Sequence, residues 1–283
     1  MIPFTKAHAC GNDFLIVTDE AAAGHDFAAL ARRLCDRHTG VGADGIEFFA
    51  WKSESGPGPR SGRIRLHNAD GSIAEISGNG TRCVAAWMAE FLGSKPGDTL
   101  EITTDAGLRV CRIDAVRNHD DFTVEVTAAM GVPRISPRAV ELAGGAKIKS
   151  MEVSIGNPHF VVFSPSASEG TARRLGPSLE RHPHFGAART NVELCAVEAA
   201  SLRLFVWERG SGFTQACGTG ACAAAVAAVS QGLLPAGSEI AVDLPGGRLH
   251  VSVAPDLSSV SLRGPAQRVY TGELSNEALG ERA

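Results

Sequence analysis

No stretch of this sequence stays apolar long enough to cross a bilayer. The longest such run, Ala221 to Val229, is less than half of the roughly 20 residues a spanning helix needs. A basic excess is also lacking: 27 Lys and Arg stand against 31 Asp and Glu, for a net charge of -4. With a pI near 6.1 the chain carries no electrostatic footprint for nucleic acid or an anionic membrane, and neither is expected as a partner. There is no dinucleotide fingerprint in the right strand context, no Walker loop, and no clustered His/Cys set at zinc spacing. No metal and no cofactor are therefore expected. The seven cysteines are odd in number and irregularly spaced, which suits a reducing compartment better than a disulfide framework. A Gly-Asn-Asp-Phe motif already begins at residue 11, so no signal peptide is expected and the location is expected to be cytoplasmic. The composition, 44% apolar and 20% charged, is that of a soluble globular protein, and the length is enough for two domains with a core in each.

What the chain has is concentrated in one stretch, Glu208-Arg209-Gly210-Ser211-Gly212-Phe213-Thr214-Gln215-Ala216-Cys217-Gly218-Thr219-Gly220-Ala221-Cys222. It follows a strand-like run, Leu202 to Trp207, and leads into the small-residue run Ala221 to Val229, which reads as a buried helix. At such a handover the first backbone N–H groups of the helix have no intrahelical acceptor, so Gly218, Thr219 and Gly220 are placed to cradle a carboxylate. The same partial positive charge is expected to make the Cys217 thiol more acidic and more reactive. A thiol with an ordinary pKa of about 8.5 needs only a modest downward shift to act as a base near neutral pH. The competing reading is a glycine-rich turn with a buried small residue.

A second copy weighs against that competing reading. Glu75-Ile76-Ser77-Gly78-Asn79-Gly80-Thr81-Arg82-Cys83 again places a small nucleophilic side chain before Gly-x-Gly and opens an Ala-rich helix with a further cysteine, and Ser77 to Cys217 is 140 residues. Thr104-Asp105-Ala106-Gly107 and Leu244-Pro245-Gly246-Gly247 match at the same offset, and Gly11-Asn12-Asp13-Phe14 pairs with Gly156-Asn157-Pro158-His159-Phe160 at 145. Ordered matches at nearly one offset imply two similar halves, although the period far exceeds that of a solenoid. Two such halves facing each other would set Ser77 and Cys217 on opposite sides of one cleft. That arrangement suits proton removal from one face of a carbon and return to the other. With no electron sink in the sequence, fixed N–H groups and dipoles must stabilise the carbanion.

In chain order, strands are expected on both sides of the Gly11-Asn12-Asp13 turn within Ile2 to Thr18, then a helix over Phe27 to Arg37 and a strand over Ile46 to Trp51. Ser53 to Gly62 reads as an exposed hairpin tip, followed by a strand Arg63 to His67 and a central helix Gly80 to Phe91. Leu100 to Thr104, Leu108 to Ile113 and Phe122 to Thr127 read as a meander closing the first half, and Gly131 to Pro137 as a crossover. The second half is expected to begin with a strand over Met151 to Ile155, continue through Phe160 to Phe163, and start a short helix over Thr171 to Leu175. Pro177 to His184 reads as a polar connection. Strands Val192 to Val197 and Leu202 to Trp207 lead to the second central helix, Gly220 to Gln231, and a second meander runs from Ile240 to Arg263.

The motifs Gly11-Asn12-Asp13-Phe14, Gly42-Ala43-Asp44-Gly45, Asn68-Ala69-Asp70-Gly71-Ser72, Gly78 to Cys83, Gly156 to His159, Asn191-Val192 and Glu208 to Cys222 are long and rare. In this order the chain resembles diaminopimelate epimerase from residue 2 to about residue 270. The resemblance implies an α+β fold of two pseudo-symmetric domains, each a curved, mostly antiparallel sheet wrapped around a central helix. It implies boundaries of 1–130 plus 265–283 for one domain and 131–264 for the other, with the tail returning to the first domain as a last strand. It further implies cofactor-independent, two-base epimerisation of LL-diaminopimelate to the meso form. Cys217 and Ser77 would be the acid–base pair, and His159 would lie beside the reacting centre, close to Glu208. Asn12, Asn68, Asn157 and Asn191 would hold amino and carboxylate groups of the substrate, with Gly78, Asn79, Gly218 and Thr219 at the helix starts. Glu208 and Arg209 would meet an ammonium and a carboxylate. Cys83 and Cys222 read as small core residues. Tyr270, the only tyrosine, lies in a segment resembling the family's dimer contact, so a homodimer is expected.

The chain departs from the family at Ser77, where the family has cysteine. An alcohol is a far weaker acid than a thiol; with water at about 15.7 as a guide the gap is roughly seven units, on the order of 10 kcal/mol before the protein compensates. Three origins stay open: an introduced change, a natural variant whose hydroxyl is activated by facing dipoles, as Ser/Cys pairs in the related proline racemase group imply, or a paralogue with other chemistry. Racemisation of another amino acid such as histidine, and amino-acid binding without catalysis, therefore remain as alternatives. Phe213, where the family often has glutamate, and Cys10, in place of an aliphatic residue, are lesser departures.

Overall fold

The computed structural model describes residues 1–53, 60–118, 122–142, 145 and 147–275. The chain divides into two compact units, Met1–Ala128 with Gly264–Ala283, and Ala129–Arg263. The hairpin tip expected within Ser53 to Gly62 lies mostly outside the described residues, at 54–59.

In the first unit the chain runs β1 (Ile2–Ala9), β2 (Asn12–Thr18), α1 (Phe27–Leu34), β3 (Gly45–Ser53), β4 (Arg60–Asn68), β5 (Ile73–Ala74), α2 (Gly78–Leu92), β6 (Thr99–Thr104), β7 (Gly107–Asn118) and β8 (Phe122–Gly131). β1 pairs antiparallel with β2, β3 with β4, β6 with β7, and β7 with β8. Two pairs are parallel, β2 with β3 and β4 with β6. Parallel neighbours need a long crossover, and α1 and α2 supply the two. α2 packs on β1 and β2 from one end of the sheet and on β6 and β7 from the other, so the sheet curves round it. The helix starts at Ser77 and stops at Gly93, whose φ of 64° gives the left-handed cap that glycine adopts without strain. α1 is shorter than expected. It ends at Leu34, because Cys35 caps it and Asp36 then turns the chain by accepting from the N–H groups of His38 and Thr39.

The second unit holds β9 (Arg134–Glu141), β10 (Lys147–Ser154), β11 (Pro158–Phe163), α3 (Glu169–Glu180), a 3-10 turn (Pro183–Ala188), β12 (Asn191–Glu198), β13 (Ser201–Glu208), β14 (Gly212–Thr214), α4 (Gly218–Ser230), β15 (Glu239–Leu244) and β16 (Gly247–Val253). β17 (Val260–Leu274) begins there against β16, and its later residues pair with β1 within the first unit, Phe4 opposite Gly272. Again two pairs are parallel, β11 with β12 and β13 with β15, and their crossovers are α3 and α4. The turn Thr104 to Gly107 between β6 and β7 is reproduced by Leu244 to Gly247 between β15 and β16. α4 is Ala-rich on every side and its residues from Gly218 to Ala228 are all buried, as expected of a helix without a polar stripe.

Two expectations fail here. The crossover placed at Gly131 to Pro137 is largely strand: β9 pairs with β10 from Arg134 opposite Ser154 to Glu141 opposite Lys147. The polar connection placed at Pro177 is helix, since α3 runs through Pro177 to Glu180. Tertiary contacts hold that last turn: Leu179 is fully buried, and Glu180 accepts from the Trp207 indole N–H at 2.8 Å and the Gly210 N–H at 3.1 Å.

Candidate active site

Each central helix begins on one of the two nucleophilic side chains. Ser77 caps α2 with φ -122° and ψ 124°, and its Oγ accepts from the Gly80 N–H at 3.0 Å. Cys217 caps α4 with φ -134° and ψ 113°, and its Sγ accepts from the Gly220 N–H at 3.4 Å. The glycine three residues on is required in both places. A Cβ on Gly80 would run into Glu47 Oε1, and one on Gly220 would lie 2.9 Å from Glu193 Oε1 and 3.3 Å from Cys217 Sγ.

In the second unit a continuous set of hydrogen bonds surrounds Cys217. Its S–H donates to Glu208 Oε2 at 3.2 Å, and Thr219 Oγ1 lies 3.5 Å from the sulfur. Thr219 Oγ1 accepts from Asn157 Nδ2 at 3.3 Å, Asn157 Oδ1 lies 2.9 Å from His159 Nε2, and His159 Nδ1 lies 2.6 Å from Glu193 Oε1. Asn157 Oδ1 can only accept, so the hydrogen bond between the two is donated by His159 Nε2. Glu208 is fixed by the Thr214 hydroxyl, which donates to Oε1 at 2.6 Å. Asn191 accepts from the Arg209 N–H at 2.9 Å and donates to the Pro158 carbonyl at 2.9 Å, and Arg209 donates to the Ala188 carbonyl at 3.1 Å. Both ends of the Asn191 amide are thus engaged in holding the Glu208–Arg209 corner against β11.

The thiol does not behave as its place at a helix start alone predicts. Burial pushes Cys217 well above the ordinary thiol range, and the Glu208 and Glu193 carboxylates push it further. The Thr219 hydroxyl and the Gly220 N–H pull the other way without prevailing. Cys217 is therefore held as a thiol, its proton aimed at Glu208. His159 bonds to Glu193 and Asn157, and it reaches Cys217, and through it Glu208, by way of Asn157 and Thr219.

In the first unit the site side chains are tied to one another. Asn12 donates to Asp44 Oδ2 at 2.6 Å and accepts from Asn79 Nδ2 at 3.0 Å, and Asn79 Oδ1 accepts from Arg82 at 2.7 Å. Arg82 also donates to the Gly78 carbonyl at 3.0 Å. Asn79 is fully buried, and its side chain is engaged by Asn12 and Arg82. Asn68 donates to the Ser72 hydroxyl at 3.0 Å beyond β4. Arg37 bridges Asp13 and Asp44 at 2.7 and 2.9 Å, with Lys6 on the other side of Asp13. Burial works to raise Asp13, but hydrogen bonds from Arg37 and Lys6 prevail and hold it at about 2, whereas burial and the Asp13 charge raise Asp44. Cys83 and Cys222 are fully buried, each on its central helix.

Two carboxylates that the sequence reading passed over underlie these sites, Glu47 on β3 and Glu193 on β12, and both are fully buried. A lone Glu in a strand reads as solvent-facing. The signal that finds them is their spacing of 146 residues, the same near-constant offset that relates the other motifs.

A sequence profile described as diaminopimelate epimerase matches residues 4–135 and 151–269. The chain is 38% identical to a diaminopimelate epimerase of Azotobacter vinelandii over 97% of its own length and 99% of that protein's. It is 40% identical to one of Desulforudis audaxviator over 95% and 98%. Among solved structures it is similar in fold to a hydroxyproline epimerase from Agrobacterium vitis, with a TM-score of 0.73 at 15% identity over 96% of this chain and 90% of that one. A phenazine biosynthesis protein from Bacillus anthracis gives 0.69 at 16% identity over 97% and 99%. Full-length identity of this order, with both capped helices and their glycines in place, identifies the chain as a member of the diaminopimelate epimerase family.

Proposed function

We propose that this chain is an isomerase that interconverts LL- and meso-diaminopimelate by two-base proton transfer. Family membership over nearly the whole chain gives the substrate class. The observation that carries the chemistry is the paired capping: Ser77 and Cys217 each accept from the N–H of the glycine three residues on, at the start of a central helix. Each therefore sits in the positive field of a helix N-terminus, beside amide groups without an intrahelical acceptor. Those amides stabilise the negative charge that spreads onto the substrate carboxylate when the α-proton leaves. Glu208 and Arg209 are suited to the ammonium and the second carboxylate.

In the direction that uses Cys217 as base, the sulfur takes the α-proton while its own proton passes to Glu208 Oε2, 3.2 Å away. Ser77 returns a proton to the other face of the carbon. His159, Asn157 and Thr219 orient the sulfur from behind. The two units then correspond to the N- and C-terminal epimerase domains. The enzyme works in the cytoplasm as a homodimer, with the Tyr270 segment at the contact. Tyr270 is 41% exposed and meets Phe4 edge-on at 6.0 Å. Sedimentation that gave a monomer mass at micromolar concentration would contradict the dimer.

Chiral chromatography after incubation with LL-diaminopimelate and with a panel of free L-amino acids, histidine included, tests the substrate. The expected result is meso-diaminopimelate and no inverted product from the panel. Inversion of a panel amino acid without meso product would replace the proposed substrate.

A further inference from the structure

Glu180 breaks two local rules at once. It is the last residue of α3, where the carbonyl end of the helix dipole disfavours a negative charge, and it is only 3% exposed. Its partners supply the reason. Oε2 accepts from the Trp207 indole N–H at 2.8 Å, and Oε1 accepts from the Gly210 N–H at 3.1 Å and from Arg189 at 2.9 Å. One carboxylate thus ties together β13, the corner after Glu208 and the stretch after the 3-10 turn. Gly176 lets α3 close on this point, since a Cβ there would run into the Trp207 ring.

The same segments grip Arg209. Its N–H donates to Asn191 and its guanidinium to the Ala188 carbonyl, so these two anchors lie on either side of Arg189 in the chain. The peptide between Arg209 and Gly210 is the one whose N–H Glu180 holds. Arg189 takes φ 53° and ψ -172°, a conformation that a non-glycine residue rarely adopts, and the ion pair with Glu180 holds its side chain there. Glu208 is fixed separately. It stands opposite Gly212 in register, and its carboxyl accepts from Thr214 and Cys217. The carboxyl that takes the thiol proton and the guanidinium beside it in sequence therefore have different anchors.

We propose that Glu180 is a positioning residue for Arg209, setting affinity for the second carboxylate of the substrate without entering the proton transfer. This rests on the reading of Arg209 as a carboxylate ligand. A guanidinium meets a carboxylate through two parallel hydrogen bonds only when its backbone and head are presented in one geometry. Glu180 touches no substrate atom and acts by fixing that geometry. Glutamine in its place would keep the size but offer one acceptor oxygen to three N–H donors, and would turn an NH2 group against those left over. The corner around Arg209 would loosen while Glu208 and Cys217 kept their bond.

The test is steady-state kinetics with LL-diaminopimelate, with circular dichroism to confirm folding. Glu180→Gln and Arg189→Met are made in the parent chain, and Glu180→Gln also in Arg209→Met. Hydrogen bonds to a charged group are strong enough that Glu180→Gln should raise KM at least about 10-fold and change kcat by less than about 3-fold. Arg189→Met removes an ion pair whose guanidinium side is 40% exposed and leaves the buried donors in place, so KM should rise about 2–4-fold. It decides the question if Glu180→Gln does not fold. In Arg209→Met there is no guanidinium left to position, and adding Glu180→Gln should leave kcat/KM within about 2-fold. A fall in kcat with KM unchanged is the mark of a purely structural role and would overturn the proposal, as would unchanged kinetics or an equal loss of kcat/KM in the Arg209→Met chain. If Arg209→Met alone leaves KM unchanged, or the parent chain does not turn over diaminopimelate, the underlying reading fails first and the proposal falls with it.

Discussion

Replacing Glu47 with leucine should make the protein more stable, and increasingly so as pH rises. The folded-state carboxyl titrates at about 8 against an ordinary 4.5, with burial as the cause. Between those values the folded chain binds a proton that the unfolded chain has released, so this group lowers stability as pH increases. Each pH unit costs on the order of 1 kcal/mol, and the whole window several. Leucine removes that cost and leaves no orphaned polar atom, and it fits a wall already formed by Ile16 and Leu66. Urea denaturation of parent and variant at pH 5, 6, 7 and 8, followed by tryptophan fluorescence, gives the difference directly. Trp51 and Trp87, stacked at 5.9 Å, report on the first unit. The stability gap should widen from pH 5 to 8 and level off above. A gap that stayed constant, or a parent chain more stable than the variant at pH 8, would refute the reasoning.

Cys217→Ser should lower kcat by at least about 10²-fold with a smaller effect on KM, because an alcohol gives up its proton to Glu208 far less readily than a thiol does; steady-state kinetics checks this. Gly80→Ala should destabilise the chain by about 1–3 kcal/mol, since the added methyl runs into the buried Glu47 carboxyl, and Glu47→Ala in the same chain should recover most of the loss in urea denaturation. Arg37→Met should narrow the stability margin near neutral pH by roughly 1 kcal/mol, a modest amount because the guanidinium is 54% exposed. Asp13 is held at about 2 against 3.8, so its stabilisation is present above 3.8 and lost as pH falls through about 2. The difference in melting temperature between parent and Arg37→Met should therefore vanish on acidification toward pH 2.

The sequence discloses most where local chemistry and long-range pattern agree. A nucleophile before Gly-x-Gly and an Ala-rich run marks a capped, buried helix, and both α2 and α4 form there. The turns at Thr104 to Gly107 and Leu244 to Gly247 are legible for the same reason. Features set by tertiary contacts are less so. α3 continues through Pro177 because Leu179 and Glu180 are held by the core and by Trp207, against the local preference of proline. β9 has an exposed, proline-containing sequence, and only its pairing with β10 makes it a strand. At the site, the capping residues could be read from the chain but the thiol's acidity could not. The helix field is a local effect, whereas burial and the Glu208 and Glu193 charges come from elsewhere in the chain and reverse the sign. Glu47 and Glu193 escaped notice because their burial depends on the glycines above them.

The central claim is that Cys217 and Ser77 move a proton between the two faces of one carbon of diaminopimelate. Proton NMR of LL-diaminopimelate in deuterated water, with the parent chain and with Cys217→Ala, tests it most directly. The account predicts loss of the α-proton signal and appearance of α-deuterated meso product with the parent, and neither with Cys217→Ala. Retention of the α-proton by the parent chain, or equal exchange by Cys217→Ala, would contradict it.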